Sequence, residues 1–257
     1  PPLIKIVSWN VNGIRAVSKK GFLDWLSRES PDILCLQEIK AHLSQIPAEI
    51  LALSGYTSYW NPAVRPGYSG VGTLTRVKPT AVKKGIGVGS FDCEGRVLET
   101  EFSDLTLLNI YFPNGGMNPE RLRFKLDFYD EALKYFLKLR KKGKKLVICG
   151  DYNTAHQPID LKNPKENEST SGFMPAERAW LDKLISSGFV DTFRVFNQSA
   201  EQYSWWDMRT RARERNAGWR IDYHFISEDL KPRLEGAFIS PEVTGSDHCP
   251  VGVLLKN

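Results

Sequence analysis

The chain has 257 residues, a net charge of +5, and 41% hydrophobic against 25% charged side chains. That balance predicts a sizeable core under a solvated surface, and no apolar run approaches bilayer-spanning length, so a membrane-spanning chain is not expected. The mild basic excess permits a polyanionic partner without requiring one.

The predicted elements follow in chain order. A strand is expected over 4–9, then a helix over 21–29 with Phe22, Trp25 and Leu26 on one side, stopped by Pro31. Strands follow over 33–36 and 71–75. Those over 97–102 and 105–112, separated by Ser103-Asp104, read as a hairpin. Asn118 is placed to cap the longest helix, with Pro119 in its first turn. Leu122, Leu126, Tyr129, Leu133 and Phe136 recur along it at helical spacing, and Gly143 ends it. The basic run 141–145 then complements the helix dipole. A strand over 146–149, a helix over 175–187 stopped by Gly188, and strands over 221–226 and 251–255 complete the reading. Hairpins mixed with helices argue for an α/β fold of two packed sheets flanked by helices.

No linker or low-complexity tract divides the chain, so one domain over 1–257 is expected. Cys35, Cys93, Cys149 and Cys249 show no C-x-x-C spacing and read as buried thiols of a reducing compartment, not a zinc site or disulfide frame. The stretch 3–9 is too short for a signal peptide and carries Lys5, so a soluble, cytoplasmic protein is expected. A chain opening on Pro1 reads as processed or trimmed.

The chemistry sits where apolar runs stop. One run ends in Asn10 and Asn12, a second in Gln37 and Glu38, and a third in Asp151 and Asn153. Asp247 and His248 stand just before the last strand, after a Gly-Ser turn. Buried strands read as such runs, and ligands bind at their ends. Asparagine and aspartate also begin turns for purely local reasons, but glutamate does not, so Glu38 needs another explanation. Carboxylate beside imidazole supplies what a metal-assisted phosphodiester hydrolase requires: cation binding, base chemistry and charge stabilisation. Asp151 is the candidate to orient or deprotonate the attacking water. An imidazolium at His248 would hold the phosphate, its pKa raised by neighbouring carboxylates.

Seven segments in order carry a more specific likeness. Ser8-Trp-Asn-Val-Asn-Gly-Ile-Arg15, Leu36-Gln-Glu-Ile-Lys40, Gly67-Tyr-Ser-Gly70, Tyr111-Phe-Pro-Asn114, Gly150-Asp-Tyr-Asn-Thr-Ala-His156, Gly218-Trp-Arg-Ile-Asp-Tyr223 and Gly245-Ser-Asp-His248 resemble the motif set of the exonuclease III family. These are apurinic/apyrimidinic (abasic-site) endonucleases of the endonuclease/exonuclease/phosphatase superfamily. The likeness runs from about Ile4 to the C-terminus.

The resemblance implies a four-layered, DNase I-like α/β sandwich with catalytic residues at one edge of both sheets. It implies Mg²⁺, with Mn²⁺ able to substitute, held by Glu38 together with Asn10, Asp247, Asp151 and Asn153. Asp222 would orient His248, and Tyr111 with Asn114 would contact the phosphate. Arg15, Lys19 or Lys20, Tyr68, Arg96, Asn163 and Asn167 match DNA-contacting positions, which set register without reading sequence. The run Arg209–Arg215 beside Trp205, Trp206 and Trp219 suits a phosphate backbone and a distorted base step. Trp205, Trp219 and Ile221 resemble a pocket that admits an extruded base-free sugar. Asn12 stands where some relatives have aspartate, leaving the metal site one carboxylate poorer. Met117 and Arg209 stand where relatives vary among DNA-inserting side chains. The implied activity is Mg²⁺-dependent incision 5′ to abasic or damaged sites in duplex DNA, by a monomer, leaving a 3′-hydroxyl. A 3′-5′ exonuclease or 3′-phosphodiesterase activity and action on deoxyuridine would accompany it.

Overall fold

The computed structural model describes residues 2–257. Two six-stranded sheets carry the chain. The first runs in the order Leu234–Ile239, Val251–Lys256, Leu3–Asn10, Ile33–Gln37, Val71–Thr75, Thr57–Asn61. The second runs Ala81–Lys84, Val97–Glu101, Thr106–Tyr111, Leu146–Asp151, Asp222–Ser227, Phe189–Asp191. Each sheet has one parallel pair, at its centre, and antiparallel neighbours on both sides. A parallel pair needs a crossover. Ile14–Ser18 and Phe22–Glu29 provide it in the first sheet, and the 23-residue helix Pro119–Lys141 in the second. The resulting four layers are the expected α/β sandwich.

Alternation along the strands sorts the core. Val7, Trp9, Leu34 and Leu36 turn outward onto Phe22, Trp25 and Leu26. Leu108, Ile110 and Ile148 turn outward onto Phe128, Tyr129, Phe136, Trp180 and Leu184. Between the sheets lie Ile6, Cys35, Leu107, Val147 and Cys149. Continuing those inner-facing positions by twos gives Ser8 and Asn10, Gln37, Asn109 and Tyr111, and Asp151. The interior is therefore apolar at one end and polar at the other. Gln37 Nε2 donates to Asn109 Oδ1 at 2.9 Å and to Ser8 Oγ at 3.0 Å, and Asn109 Nδ2 donates to the Gly72 carbonyl at 2.9 Å. These bonds satisfy polar groups that would otherwise be costly to bury.

The predicted helices and hairpin appear with shifts of a residue or two. Asn118 caps as expected, its Oδ1 accepting from Arg121 N at 2.8 Å. Four outer strands, Thr57–Asn61, Ala81–Lys84, Phe189–Asp191 and Leu234–Ile239, lack an apolar run and were not predicted. Cys35, Cys149 and Cys249 are buried, but Cys93 is exposed because it follows the short helix Gly89–Asp92 and not a strand. No helix among the described residues is long and apolar enough to cross a membrane.

His224 makes a testable demand on this interior. It is 3% exposed, one ring nitrogen bonds the Val251 carbonyl at 3.0 Å, and Nδ1 has no partner among the described residues. Burial holds its pKa down at about 4, against the smaller upward pull of the Val251 bond. The unfolded chain then binds the extra proton between pH about 6.5 and 4, so stability is present above that window and lost as pH falls through it. Between pH 7 and 4.5 the urea-unfolding free energy should drop by on the order of 2 to 3 kcal/mol more in the wild type than in His224→Gln. Equal slopes in the two proteins would remove His224 as the cause.

Candidate active site

The topology gathers the polar residues. Both parallel pairs finish at the same edge of the sandwich, and Asp222–Ser227 and Val251–Lys256, running the opposite way, begin there. Asn10, Tyr111 and Asp151 close their strands, Glu38 follows Ile33–Gln37, Asp222 opens its strand, and His248 precedes Val251. In the second sheet Tyr111, Asp151 and Asp222 stand side by side in register. Glu38, Asn12 and Asn153 sit in left-handed backbone, with φ of 48°, 49° and 55°. Non-glycine residues pay for this conformation with strain, which concentrates where side chains must be aimed.

One chain of contacts crosses from sheet to sheet. Asn10 Nδ2 donates to Glu38 Oε1 and to Asp151 Oδ2, both at 2.8 Å. His248 Nε2 lies 3.5 Å from Asp151 Oδ2, and His248 Nδ1 is 2.8 Å from Asp222 Oδ2. Asp151, Asp222 and His248 are buried, whereas Glu38 is half-buried. Burial alone would lower the histidine, but Asp222 first and Asp151 second raise it more, to about 10. The ring is thus an imidazolium at neutral pH. Burial lifts Asp151 to about 7, against the downward pull of His248. Burial, followed by Glu38, holds the Tyr111 phenol well above its ordinary value, so it remains protonated.

Glu38, Asp151 and His248 each bring one donor atom within 4.8 Å of the others. With the imidazole protonated, the ligands left are carboxylate oxygens, the set that suits a hard divalent cation. The three other expected ligands have protein partners of their own. Asn10 spends its amide N–H groups on the two carboxylates, and its Oδ1 accepts from Asn12 N at 3.0 Å. Asn153 donates Nδ2 to the Phe112 carbonyl at 2.7 Å. Asp247 lies outside the three-residue cluster, its Oδ2 accepting from Trp205 Nε1 at 3.1 Å. Glu38 Oε2 also lies 3.6 Å from Lys40 Nζ, while Lys40 donates to Asn12 Oδ1 at 2.6 Å.

Glu38, Tyr111, Asn114, Asp151, Asn153, Asp247 and His248 line a cavity of about 250 Å³ whose apolar wall is Trp205, Trp219 and Ile221. The two indoles meet edge to face at 6.1 Å, and Ile221 is buried among Ala155, Leu161 and Phe173. Thr170, Ser171 and Gly172 complete the lining. Nothing in the sequence near them marks them, because a distant loop carries them to the site.

Residues 7–248 match the Endonuclease/Exonuclease/phosphatase family. The chain belongs to that family. It is 45% identical over 255 residues to an exodeoxyribonuclease of Bacillus subtilis, covering 98% of this chain and all of the relative. A DNA-(apurinic or apyrimidinic site) endonuclease of Dictyostelium discoideum is 38% identical, over 98% of this chain and 70% of the relative. Among solved structures, a 3′-5′ exonuclease from Neisseria meningitidis superposes with a TM-score of 0.91 at 27% identity, over 99% of this chain and all of that one. An AP endonuclease from Archaeoglobus fulgidus does so with a TM-score of 0.87 at 27% identity, with the same coverage.

Around this family site the expected DNA-contacting residues divide. Arg15, Asn114, Asn163 and Arg209 are exposed, and Asn167 and Tyr68 are half-buried. Arg96 is 2% exposed, ion-paired with Glu94 at 2.6 Å, and donates to Tyr111 O at 3.0 Å and Tyr68 Oη at 2.8 Å. A guanidinium so engaged braces Tyr111 from behind the cavity wall. Most of the arginine run has protein partners as well. Arg211 pairs with Glu214, Arg215 donates to Thr210 O, and Arg213 donates to the carbonyls of Pro241, Val243 and Ser246 while stacking over Trp206. Arg213 thus fastens the loop that carries Asp247 and His248. Only Arg209 of the four keeps its guanidinium free of protein partners among the described residues. Asp222 faces His248, while its neighbour Arg220 takes Asp160 and Asp191.

Proposed function

We propose that this protein is a DNA repair nuclease, a phosphodiesterase that works as a monomer and hydrolyses the bond 5′ to abasic sites in duplex DNA, leaving a 3′-hydroxyl. The observation that carries the reading is the juxtaposition in one cavity of Glu38, Asp151 and His248, bridged by Asn10 and backed by Asp222, with an apolar wall. The relatives' names, exodeoxyribonuclease and AP endonuclease, support the same substrate class. A 3′-terminal activity is the second reading, favoured by the likeness to the Neisseria 3′-5′ exonuclease.

In this mechanism Asp151 takes the proton of the attacking water, helped by a pKa that burial brings near neutrality. Asn153, held by Phe112, keeps the loop at that carboxylate fixed: its backbone N–H donates to Asp151 Oδ1 at 2.9 Å. His248, oriented by Asp222, presents Nε2–H to a non-bridging phosphoryl oxygen, where developing negative charge is stabilised by a fixed donor. The Tyr111 hydroxyl and the Asn114 amide are donors to the same phosphate. Glu38 and Asp151 would hold Mg²⁺, which when bound would supply Lewis-acid charge to the phosphate and to the leaving 3′-oxygen, and that oxygen takes its proton from water. Arg15, Asn163, Asn167 and Arg209 grip the backbone, and Trp205, Trp219 and Ile221 receive the base-free sugar. A duplex carrying an abasic site, a uracil or a recessed 3′ end, incubated with and without Mg²⁺ or Mn²⁺, tests the proposal. Cleavage of intact duplex at the abasic rate would refute it.

The wall gives a second test. Trp219→Ala should slow abasic cleavage and narrow the abasic-over-intact ratio roughly tenfold, the scale on which apolar pockets discriminate. The salt slope of DNA binding should stay constant, because no phosphate contact is lost. A variant that keeps the full ratio and only melts earlier would show Trp219 to be packing alone.

A further inference from the structure

Lys125 and Glu177 form an ion pair with neither side chain exposed. They come from the two outer helices of the second sheet, Pro119–Lys141 and Pro175–Ser186. Lysine and glutamate are almost never fully buried unless paired, so the pair needs a reason. Its other bonds supply one. Lys125 Nζ donates to the Asn153 carbonyl at 2.6 Å and to Thr154 Oγ1 at 2.8 Å. Glu177 accepts from Gly172 N at 2.7 Å, Ser171 Oγ at 2.9 Å and Met174 N at 3.1 Å. Lysine holds the loop of the catalytic carboxylate. Glutamate holds the loop that floors the cavity.

Both loops line the cavity. Asn153 has left-handed backbone and stands two residues from Asp151. Gly172 has a φ of +107°, and a Cβ there would lie 3.1 Å from the Trp219 ring. Ala155 N bonds the Gly172 carbonyl at 2.8 Å, so the loops are tied to each other as well. We infer that the Lys125–Glu177 pair is a positioning device that fixes the distance between the Asp151 carboxylate and the Trp219 wall, and thereby couples hydrolysis to recognition of the extruded sugar. This rests on the function proposed above. Neither residue touches the reacting atoms.

Removing one partner strands a buried charge and invites unfolding, so the test uses the neutral pair Lys125→Met with Glu177→Gln. Glutamine's carbonyl still accepts from Gly172 and Met174, while the donors to Asn153 and Thr154 are gone. With 5-fluorotryptophan incorporated, the ¹⁹F resonance of Trp219, assigned by Trp219→Phe, should shift or broaden in the double variant, and those of Trp9 and Trp25 should not move. On an abasic duplex the single-turnover rate should fall about tenfold with KM within twofold, and the abasic-over-intact ratio should narrow, since small misplacements near reacting groups are costly. An unmoved Trp219 resonance with rate and ratio within twofold of wild type would overturn the inference, whatever the melting temperature. The ¹⁹F reading needs no substrate, so failure of the wild type to cut abasic DNA would count against the proposed function and not against the clamp.

Discussion

Replacing Glu38 with alanine is expected to cut the single-turnover rate on an abasic duplex on the order of a thousandfold at low Mg²⁺, since the cation's charge on a phosphoryl oxygen is worth several kcal/mol in the transition state. DNA affinity should change little, because that stabilisation is realised at the transition state and not in the bound complex. Folding should also survive. The ion pair of Glu38 with Lys40 is 3.6 Å long and partly exposed, a kind worth at most about 1 kcal/mol. Asn10 loses one acceptor but keeps Asp151. Mn²⁺ binding to the DNA-free variant, followed by electron paramagnetic resonance, should weaken in parallel. Unchanged turnover across a Mg²⁺ titration would remove Glu38 as the principal ligand.

Much of this arrangement was legible because parallel central strands are buried on both faces. Such strands write continuous apolar runs, and the residue at which the run stops is the residue at the sheet edge. Asn10, Glu38 and Asp151 were found in that way, and the Asp247-His248 turn by its position before the last run. The outer strands wrote no such pattern. Ala81–Lys84 is exposed throughout, and Leu234–Ile239 is half-exposed with an irregular register at Gly236.

What the sequence could not show about individual side chains has one cause. Sequence places Arg96 and Arg213 near loops and aromatics, but only the folded chain shows that Glu94 and the carbonyls of 241–246 have already taken their donors. Likewise the sequence places Asn10 at a strand end, and only the fold shows the two carboxylates converging on its amide, which makes it a bridge between them. Lys125 and Glu177 are charges on two helices that the sequence alone does not single out. Partners 28 and 52 residues away along the chain turn them into interior ones.

The imidazolium–carboxylate pair should yield the second large effect. His248→Asn and Asp151→Asn are each expected to lower the single-turnover rate at least about 100-fold, the lower bound for general acid–base groups. Asparagine at 248 can still donate to Asp222 from the place of Nδ1, so the buried carboxylate keeps a partner while the charge at Nε2 is deleted. Asparagine at 151 has one acceptor oxygen for two donors, Asn10 Nδ2 and Asn153 N, and so loses one of those bonds as well as the base. The pH profile of kcat/KM separates the roles. Activity should rise as pH passes Asp151's value of about 7 and fall as it passes His248's value of about 10, with a bound cation drawing the lower limb to more acid pH. Stability follows the histidine with a definite sign. Its folded pKa is raised, so its contribution is complete below pH about 6.5 and disappears as pH climbs through 10. Asp222 is the largest upward influence on that ring. Asp222→Asn should therefore move the alkaline limb of the profile toward neutral pH, and the acid limb of Asp151, which Asp222 also raises, toward lower pH. An alkaline limb that remains near 10 in this variant would show that the limb does not report His248.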